Sequence, residues 1–239
     1  MPLGVRSDFK PELFTALIVE KGYNCMLQHA IPCGNIDTYT HAHPKDCKYC
    51  HGTGFVYYDS VKTKVILTSL EKDKRFITSP ELLLGQTMVT VDSVESLQYR
   101  DRIINLDSLI RYSQLVKRQS NSDIDELRFK IFEIENVYRY TNSGELMDIE
   151  NFIDYEITDD NKIKWISSNK PDPNEIYSIR YKTHPSWIVT SFPHIIRATT
   201  TRFLKPHESP ENLPLQGIAK LEFLFYKDQL NYVWEDFYE

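Results

Sequence analysis

Long apolar runs are missing from this chain of 239 residues, of which 41% are hydrophobic. No stretch approaches the roughly 20 consecutive apolar residues that a membrane-spanning helix needs, so we expect no membrane partner. The first residues, Met1 to Asp8, lack the apolar segment of a signal peptide, so we expect synthesis in a reducing cytoplasm. In that compartment, clustered cysteines are metal ligands or free thiols more often than disulfides.

Glycine is also scarce, and the net charge is negative. The 8 glycines form no glycine-rich phosphate loop, and the formal net charge is −6. The motifs Gly-x-Ser-x-Gly and His-Glu-x-x-His, which mark common hydrolases, do not occur. Because binding to phosphates needs a basic surface, a general nucleic-acid binder is not favoured. These absences favour a protein that is not an enzyme.

Cysteine is rare as well, but all 4 cysteines lie between positions 25 and 50. The last two belong to the segment Cys47-Lys-Tyr-Cys50-His-Gly-Thr-Gly. Two thiols three positions apart on a tight turn point into one small volume, and the glycines let backbone amides fold back toward the sulfur atoms. This spacing is typical of one half of a structural zinc site.

The other half of the site is less clear. Cys33 lies between proline and glycine, as in a second knuckle, but Asn35 stands where another cysteine would help. Tetrahedral zinc needs four ligands, and we predict one structural zinc ion per chain. Ordinary thiols, a site without its fourth ligand, and a redox pair are the other interpretations. The predicted ligands are Cys33, His43, Cys47 and Cys50, and the alternatives to His43 are His29, His41 and Cys25.

Carboxylates keep open a hydrolytic alternative. A carboxylate-dependent hydrolase or nuclease needs acidic side chains that converge in a cleft, and convergence is not visible in a sequence. The run Asp159-Asp160-Asn161 is more typical of a turn than of a cation site. The aspartates considered are Asp101, Asp107, Asp154, Asp159 and Asp160.

The rest of the sequence is typical of β structure. Tyrosine is abundant, with 15 residues, and many short alternating segments are separated by turn residues. We predict a mainly β fold of barrel or sandwich modules, with a short N-terminal helix and a zinc-ribbon-like loop. The predicted domains are residues 1–54 with the helix and loop, residues 55–120 as a β-barrel unit, and residues 121–239 as a second β-rich unit with the C-terminal tail.

Local patterns give more specific predictions. Residues 55–68 alternate well enough for two short strands or one bent strand. The alternation that begins at Leu127 predicts a half-buried strand in the segment from Leu127 to Tyr140. The helix is predicted to end at Gly22. Its predicted apolar face consists of Leu13, Phe14, Leu17 and Ile18.

Three parts of the sequence carry a resemblance to a known family. They are residues 31–34 with 47–57, residues 85–91 with 99–103, and residues 152–165 with 173–181. These parts resemble structural proteins from the neck of tailed bacteriophages, the head–tail connector region. The first part is similar to a small zinc-ribbon-like insertion that runs into a β-barrel. The second resembles barrel strands of head-closure and adaptor-type proteins, and the third resembles β modules of virion structural proteins.

This resemblance implies a non-enzymatic virion protein at the interface of head and tail. It implies a homo-oligomeric ring that extends the portal channel and contacts portal or connector and tail proteins. Genomic DNA would pass through the channel without sequence-specific binding. Aromatic residues interleaved with charges suit the subunit contacts of such a ring. The alternatives are a small zinc- or carboxylate-dependent hydrolase, such as a wall-degrading or nuclease module, and a zinc-ribbon regulator that binds nucleic acid.

Overall fold

The computed structural model describes residues 11–35, 47, 49–50, 53–69, 85–92, 94–119, 122–140, 146–149, 154–158, 162–191 and 215–222. Within these residues the chain forms one helix and thirteen strands. The mainly β fold that the sequence predicted, with a short N-terminal helix, is therefore confirmed. The chain divides into two compact units. Unit 1 comprises Met1–Asp107 and Ser186–Glu239, and unit 2 comprises Ser108–Pro185.

The helix α1 comprises Pro11–Lys21, and the strands follow it in chain order. They are β1 (Tyr23–Pro32), β2 (Phe55–Ser69), β3 (Gln86–Val91), β4 (Arg102–Asn105), β5 (Ile110–Lys117), β6 (Ile124–Asp125), β7 (Glu133–Tyr140), β8 (Leu146–Asp148), β9 (Tyr155–Ile157), β10 (Ile163–Trp165), β11 (Ile176–Thr183), β12 (Ser186–Ser191) and β13 (Leu215–Leu221).

Unit 1 is a closed barrel. The strand order is β1-β2-β3-β13-β12-β4, and β4 pairs with β1 to complete the ring. All six pairings are antiparallel. Alternate side chains of each strand point inward and fill a small barrel of this kind. The buried core consists of Cys25, Leu27, Val65, Val89, Val91, Leu97, Ile103, Val189 and Ala219.

Strand β2 is one bent strand, the second of the two alternatives predicted for this segment. Its register against β1 shifts, because Leu27 pairs with Val61 whereas His29 pairs with Tyr58. Two residues of β2 therefore face one residue of β1, and Asp59 within this bulge has a φ of 46°. A β-bulge bends its strand. The N-terminal part of β2 pairs with β1 and its C-terminal part with β3.

Helix α1 ends where predicted but packs through a narrower face. The backbone N–H of Gly22 donates to the carbonyl oxygen of Ile18 at 2.8 Å. A Cβ atom at Gly22 would lie 2.4 Å from that oxygen, so this position needs glycine. Ile18 is 1% exposed, whereas Leu13 and Leu17 are 63% and 44% exposed. The predicted apolar face is therefore wrong for both leucines, because α1 contacts β2 through the side that carries Ile18.

Unit 2, Ser108–Pro185, contains two antiparallel sheets. Their strand orders are β6-β10-β9 and β5-β11-β7-β8. The core is aromatic: Tyr177 and Tyr181 are almost completely buried, and the rings of Trp165 and Tyr177 meet edge to face at 5.2 Å. The buried carboxylate of Asp125 accepts hydrogen bonds from Trp165 Nε1 at 2.8 Å and from the Tyr177 hydroxyl at 3.1 Å. Burial, followed by the charge of Asp125, raises the pKa of Tyr177.

The predicted domain boundaries at residues 54 and 120 differ from the division in the structure. Strand β1 was assigned to the first predicted domain, yet it pairs with β2 and β4 in the barrel. Strands β12 and β13 were assigned to the third, yet they pair with β4 and β3. The reason is that strands distant in the sequence complete the barrel, and unit 2 is inserted between β4 and β12.

The strand predicted in the segment from Leu127 to Tyr140 is present but starts later than its alternation indicates. This strand, β7, starts only at Glu133. The Phe129 ring packs edge to face against Tyr112 at 4.8 Å, and the Phe129 N–H donates to the Tyr181 hydroxyl at 3.3 Å. The apolar side chain of Phe129 therefore packs on the aromatic core of unit 2 and does not belong to a paired strand.

Candidate metal centre

Three cysteines meet at the loop end of the β1–β2 hairpin. Cys33 directly follows β1, and Cys47 and Cys50 precede β2. Their Sγ atoms all lie within 4.8 Å of one another, and those of Cys33 and Cys47 are 3.9 Å apart. Each of the three residues is at most 3% exposed, and Val56 packs against them. Because the thiols are free and converge, this cysteine cluster could hold a metal ion.

Backbone contacts explain why the cluster forms at this point. Pro32 pairs with Phe55 at the end of the hairpin, and the Cys33 N–H then donates to the Gly54 carbonyl oxygen at 2.9 Å. The N–H and hydroxyl of Thr53 both donate to the Cys50 carbonyl oxygen, at 2.9 and 2.7 Å. Gly54 has a φ of 79°, which favours glycine. These contacts of Thr53 and Gly54 hold Cys50 close to the end of β1.

Hydrogen bonds stabilise the thiolate form of Cys47. The Asn35 side-chain amide donates to Cys47 Sγ at 3.3 Å. This bond, followed by backbone N–H donors at Cys50 and Tyr49, lowers the pKa of the Cys47 thiol to about 6. Metal ligands of this type bind as thiolates, so the donors favour metal binding. Asn35 stands where a zinc knuckle would have another cysteine, and in the structure its side-chain amide is a hydrogen-bond donor to Cys47.

The structure brings together three of the four predicted ligands. His43 lies outside the described residues, as does His41. The two remaining alternatives, His29 and Cys25, are described and are not members of the cluster. Cys25 is a core residue of the barrel, and burial raises the pKa of its thiol to about 12.

His29 instead forms a polar pair inside the wall of the barrel. Its Nδ1 lies 3.0 Å from an Asp101 carboxylate oxygen, and the His29 side chain is 13% exposed. The Asp101 side chain is fully buried and also accepts hydrogen bonds from the backbone N–H groups of Ala30 and Gln98, at 3.0 and 2.7 Å. This pair connects β1 to the segment before β4. Sequence reasoning considered both residues separately and missed their pairing, for which a single sequence carries no signal.

Asp107 and Asp154, the two other hydrolase candidates that the structure describes, belong to separate hydrogen-bond networks. Asp107 accepts hydrogen bonds from the side chain and backbone of Asn24, which lower the pKa of its carboxyl. Asp154 accepts from Ser167 at 2.6 Å and from Asn169 at 3.2 Å. These bonds give both carboxylates structural roles. Asp159 and Asp160 lie outside the described residues.

In the described part of the chain, no helix has the length and apolarity needed to span a membrane. Comparison with protein-family models and with curated proteins finds no match to this chain. The resemblance to phage neck proteins stays a prediction, and the cysteine cluster is the feature of this chain with the most definite chemistry.

Proposed function

We propose that the cysteine cluster holds one structural zinc ion, with a fourth ligand from the same loop. Three sulfur atoms that are each about 2.3 Å from a tetrahedral zinc ion lie about 3.8 Å from one another. The Sγ atoms of Cys33 and Cys47 are 3.9 Å apart, which fits this geometry. Thiolate sulfur is a soft donor that suits zinc, whereas magnesium and calcium prefer oxygen. His43 is the predicted fourth ligand, with His41 as the alternative in the same segment.

The role of this zinc ion would be mechanical rather than catalytic. A site closed by four protein ligands leaves no position for a reacting water, whereas a catalytic zinc site keeps one open. The cluster lies where the loop between β1 and β2 leaves the barrel, so the metal would fix that loop to both strands. Metal binding supplies folding free energy directly to such a loop.

We propose that the whole chain is a non-enzymatic virion protein of the neck of tailed bacteriophages. It would form a homo-oligomeric ring that contacts portal or connector and tail proteins and surrounds the passing genomic DNA. Support comes from the sequence resemblance, whose first two parts coincide with the cysteine cluster and with β3 and β4 of the barrel. Exposed tyrosines also suit subunit contacts. These are Tyr23, Tyr49, Tyr58 and Tyr99.

The convergence of the three buried thiols carries the zinc proposal, and metal analysis tests it. We expect one zinc ion per purified chain by elemental analysis. A protein purified with iron or without metal would contradict the proposal. A site with water as its fourth ligand, seen by X-ray absorption, would favour the hydrolase alternative instead.

Negative-stain electron microscopy tests the neck proposal independently of the metal. Rings formed by the purified protein, or labelling of virions at the junction of head and tail, are the expected results. A uniform monomer that hydrolyses cell-wall or nucleic-acid substrates would refute it. Tight, salt-dependent binding of the monomer to nucleic acid would favour the regulator alternative.

A further inference from the structure

A groove with a volume of about 550 Å³ lies where α1 meets β1 and β2 in unit 1. This volume is within the range of roughly 300 to 1,000 Å³ that is typical of ligand-binding pockets. Its apolar lining includes Ile18, Val19 and Leu106. Val19 is 61% exposed, which leaves a large apolar side chain of the groove in contact with solvent.

Two lysines lie at the rim of the groove. Lys62 and Lys64 line it from adjacent outward positions of β2. Lys64 donates to the Gly22 carbonyl oxygen at 3.3 Å, whereas Lys62 forms no ion pair within the described residues. The acidic residue of the lining, Asp92, accepts a hydrogen bond from Thr15 at 3.3 Å. An apolar groove with a lysine at its rim suits a ligand that combines aromatic groups with negative charge.

The C-terminal tail of this chain, residues 223–239, has that chemistry. It lies outside the described residues and contains seven aromatic residues, four acidic residues and one lysine. Its last part reads Trp234-Glu-Asp-Phe-Tyr-Glu239, where acidic and aromatic residues are adjacent. The net charge of −3 is opposite to that of the two lysines on the rim.

The tail starts from a fixed point near the groove. The Glu222 carboxylate accepts a hydrogen bond from the Ser186 hydroxyl at 2.6 Å and pairs with Arg102 at 3.6 Å. Arg102 and the groove residue Leu106 are four residues apart, which along an extended strand is roughly 13 Å. Twelve residues separate Glu222 from Trp234 and span at most roughly 40 Å. The aromatic part of the tail can therefore reach the groove of its own chain.

We propose that the C-terminal tail binds in the groove of its own chain. Trp234 and Phe237 would cover the apolar lining that includes Val19, and Glu235 and Asp236 would approach the lysines. A short tether raises the local concentration of the tail to the millimolar range, so few contacts are sufficient. This inference is independent of zinc and of the neck proposal, because it depends only on described groove residues and the tail sequence.

Amide hydrogen exchange of the full-length chain, followed by mass spectrometry, tests the proposal. We expect amides of residues 230–239 to exchange about tenfold more slowly than in the same peptide alone. Lys62→Glu or Val19→Asp should each remove this protection, since both positions are exposed and neither change disturbs the barrel core. Lys117→Glu, an equivalent charge reversal on exposed β5 of unit 2, is the matched control and should leave it unchanged.

The possible results separate clearly. Protection that disappears in both groove variants, with circular dichroism unchanged, supports the proposal. Tail amides that exchange at peptide rates in the wild-type chain refute it, and so does protection that both groove variants retain. Protection that is lost on about hundredfold dilution would place the tail on another copy, which also refutes binding within one chain.

Discussion

Replacement of Cys47 by serine should abolish zinc binding and loosen only one end of the β1–β2 hairpin. Serine removes one of three converging sulfur atoms and replaces the sulfur acceptor of the Asn35 side-chain amide with a hydroxyl oxygen. We expect zinc content to fall from one ion per chain to about 0.1 or less, since hydroxyl oxygen is a poor zinc ligand. Cys25→Ser is the matched control, because Cys25 is equally buried but belongs to the barrel core.

The size of the local effect follows from the free energy that zinc binding adds to the closed site. When free zinc is about 100 times its dissociation constant, binding stabilises the closed site by about 2.7 kcal/mol, which lowers the population of the open site about hundredfold. The Cys33 and Thr53 N–H groups donate to Gly54 and Cys50 within the site, so their exchange should slow by that factor. The amide of Leu27, deep in the barrel, should not respond to zinc.

Hydrogen exchange with and without a chelator measures this difference. In wild-type protein, zinc should protect the Cys33 and Thr53 amides, and in Cys47→Ser it should have no effect on them. Equal zinc content in wild type and Cys47→Ser would show that the cluster is not the metal site. Zinc-dependent protection throughout the barrel would contradict a local role, because the cluster lies at the end of the hairpin, where Val56 packs against it.

Three further predictions concern the cores and the thiols. Asp125→Ala leaves the buried donors of Trp165 and Tyr177 without their acceptor. The free energy of unfolding of unit 2 should therefore fall by about 2–6 kcal/mol, measured by denaturant unfolding with near-ultraviolet circular dichroism. A loss below about 1 kcal/mol would contradict the network. Ile103→Ala should cost about 2–5 kcal/mol by the same unfolding measurement on the barrel, because Ile103 is fully buried. After zinc removal, iodoacetamide at about pH 8 should label Cys47 and spare Cys25. The pKa of about 6 keeps the Cys47 thiol ionised at this pH, whereas the pKa of about 12 keeps the Cys25 thiol protonated. Equal labelling of the two cysteines in peptide mass spectrometry would contradict these environments.

Local elements of this fold could be predicted from the sequence because their signals are local. Glycine is needed at position 22, where α1 ends, because a side chain there would collide with the carbonyl oxygen of Ile18. The alternation in Ile176–Thr183 corresponds to β11, in which Tyr177, Ile179 and Tyr181 face the core. Two thiols three positions apart, followed by glycines, likewise predicted the knuckle at Cys47 and Cys50 from residues within one turn.

Pairings between distant residues could not be predicted, because a single sequence does not contain them. The barrel closes through β4 and β12, where Ile104 pairs with Ser186 across a sequence separation of about eighty residues. The Asp101 carboxylate that fixes His29 is 72 residues away in the chain. The role of Asn35 depended on where its amide lies relative to Cys47. The first two facts are consequences of the closed barrel, and the third depends on the fold of the loop between β1 and β2.

The pairing of β4 with β12 has a consequence for how the gene for this chain can be altered. Because Ile104 faces Ser186, the whole of Ser108–Pro185 occupies the place of a hairpin loop. Natural hairpins of this kind need only about two to five residues. A short turn could therefore be spliced in at this junction without changing the order of a single barrel strand. The same junction offers a place where other inserts could be grafted onto the barrel.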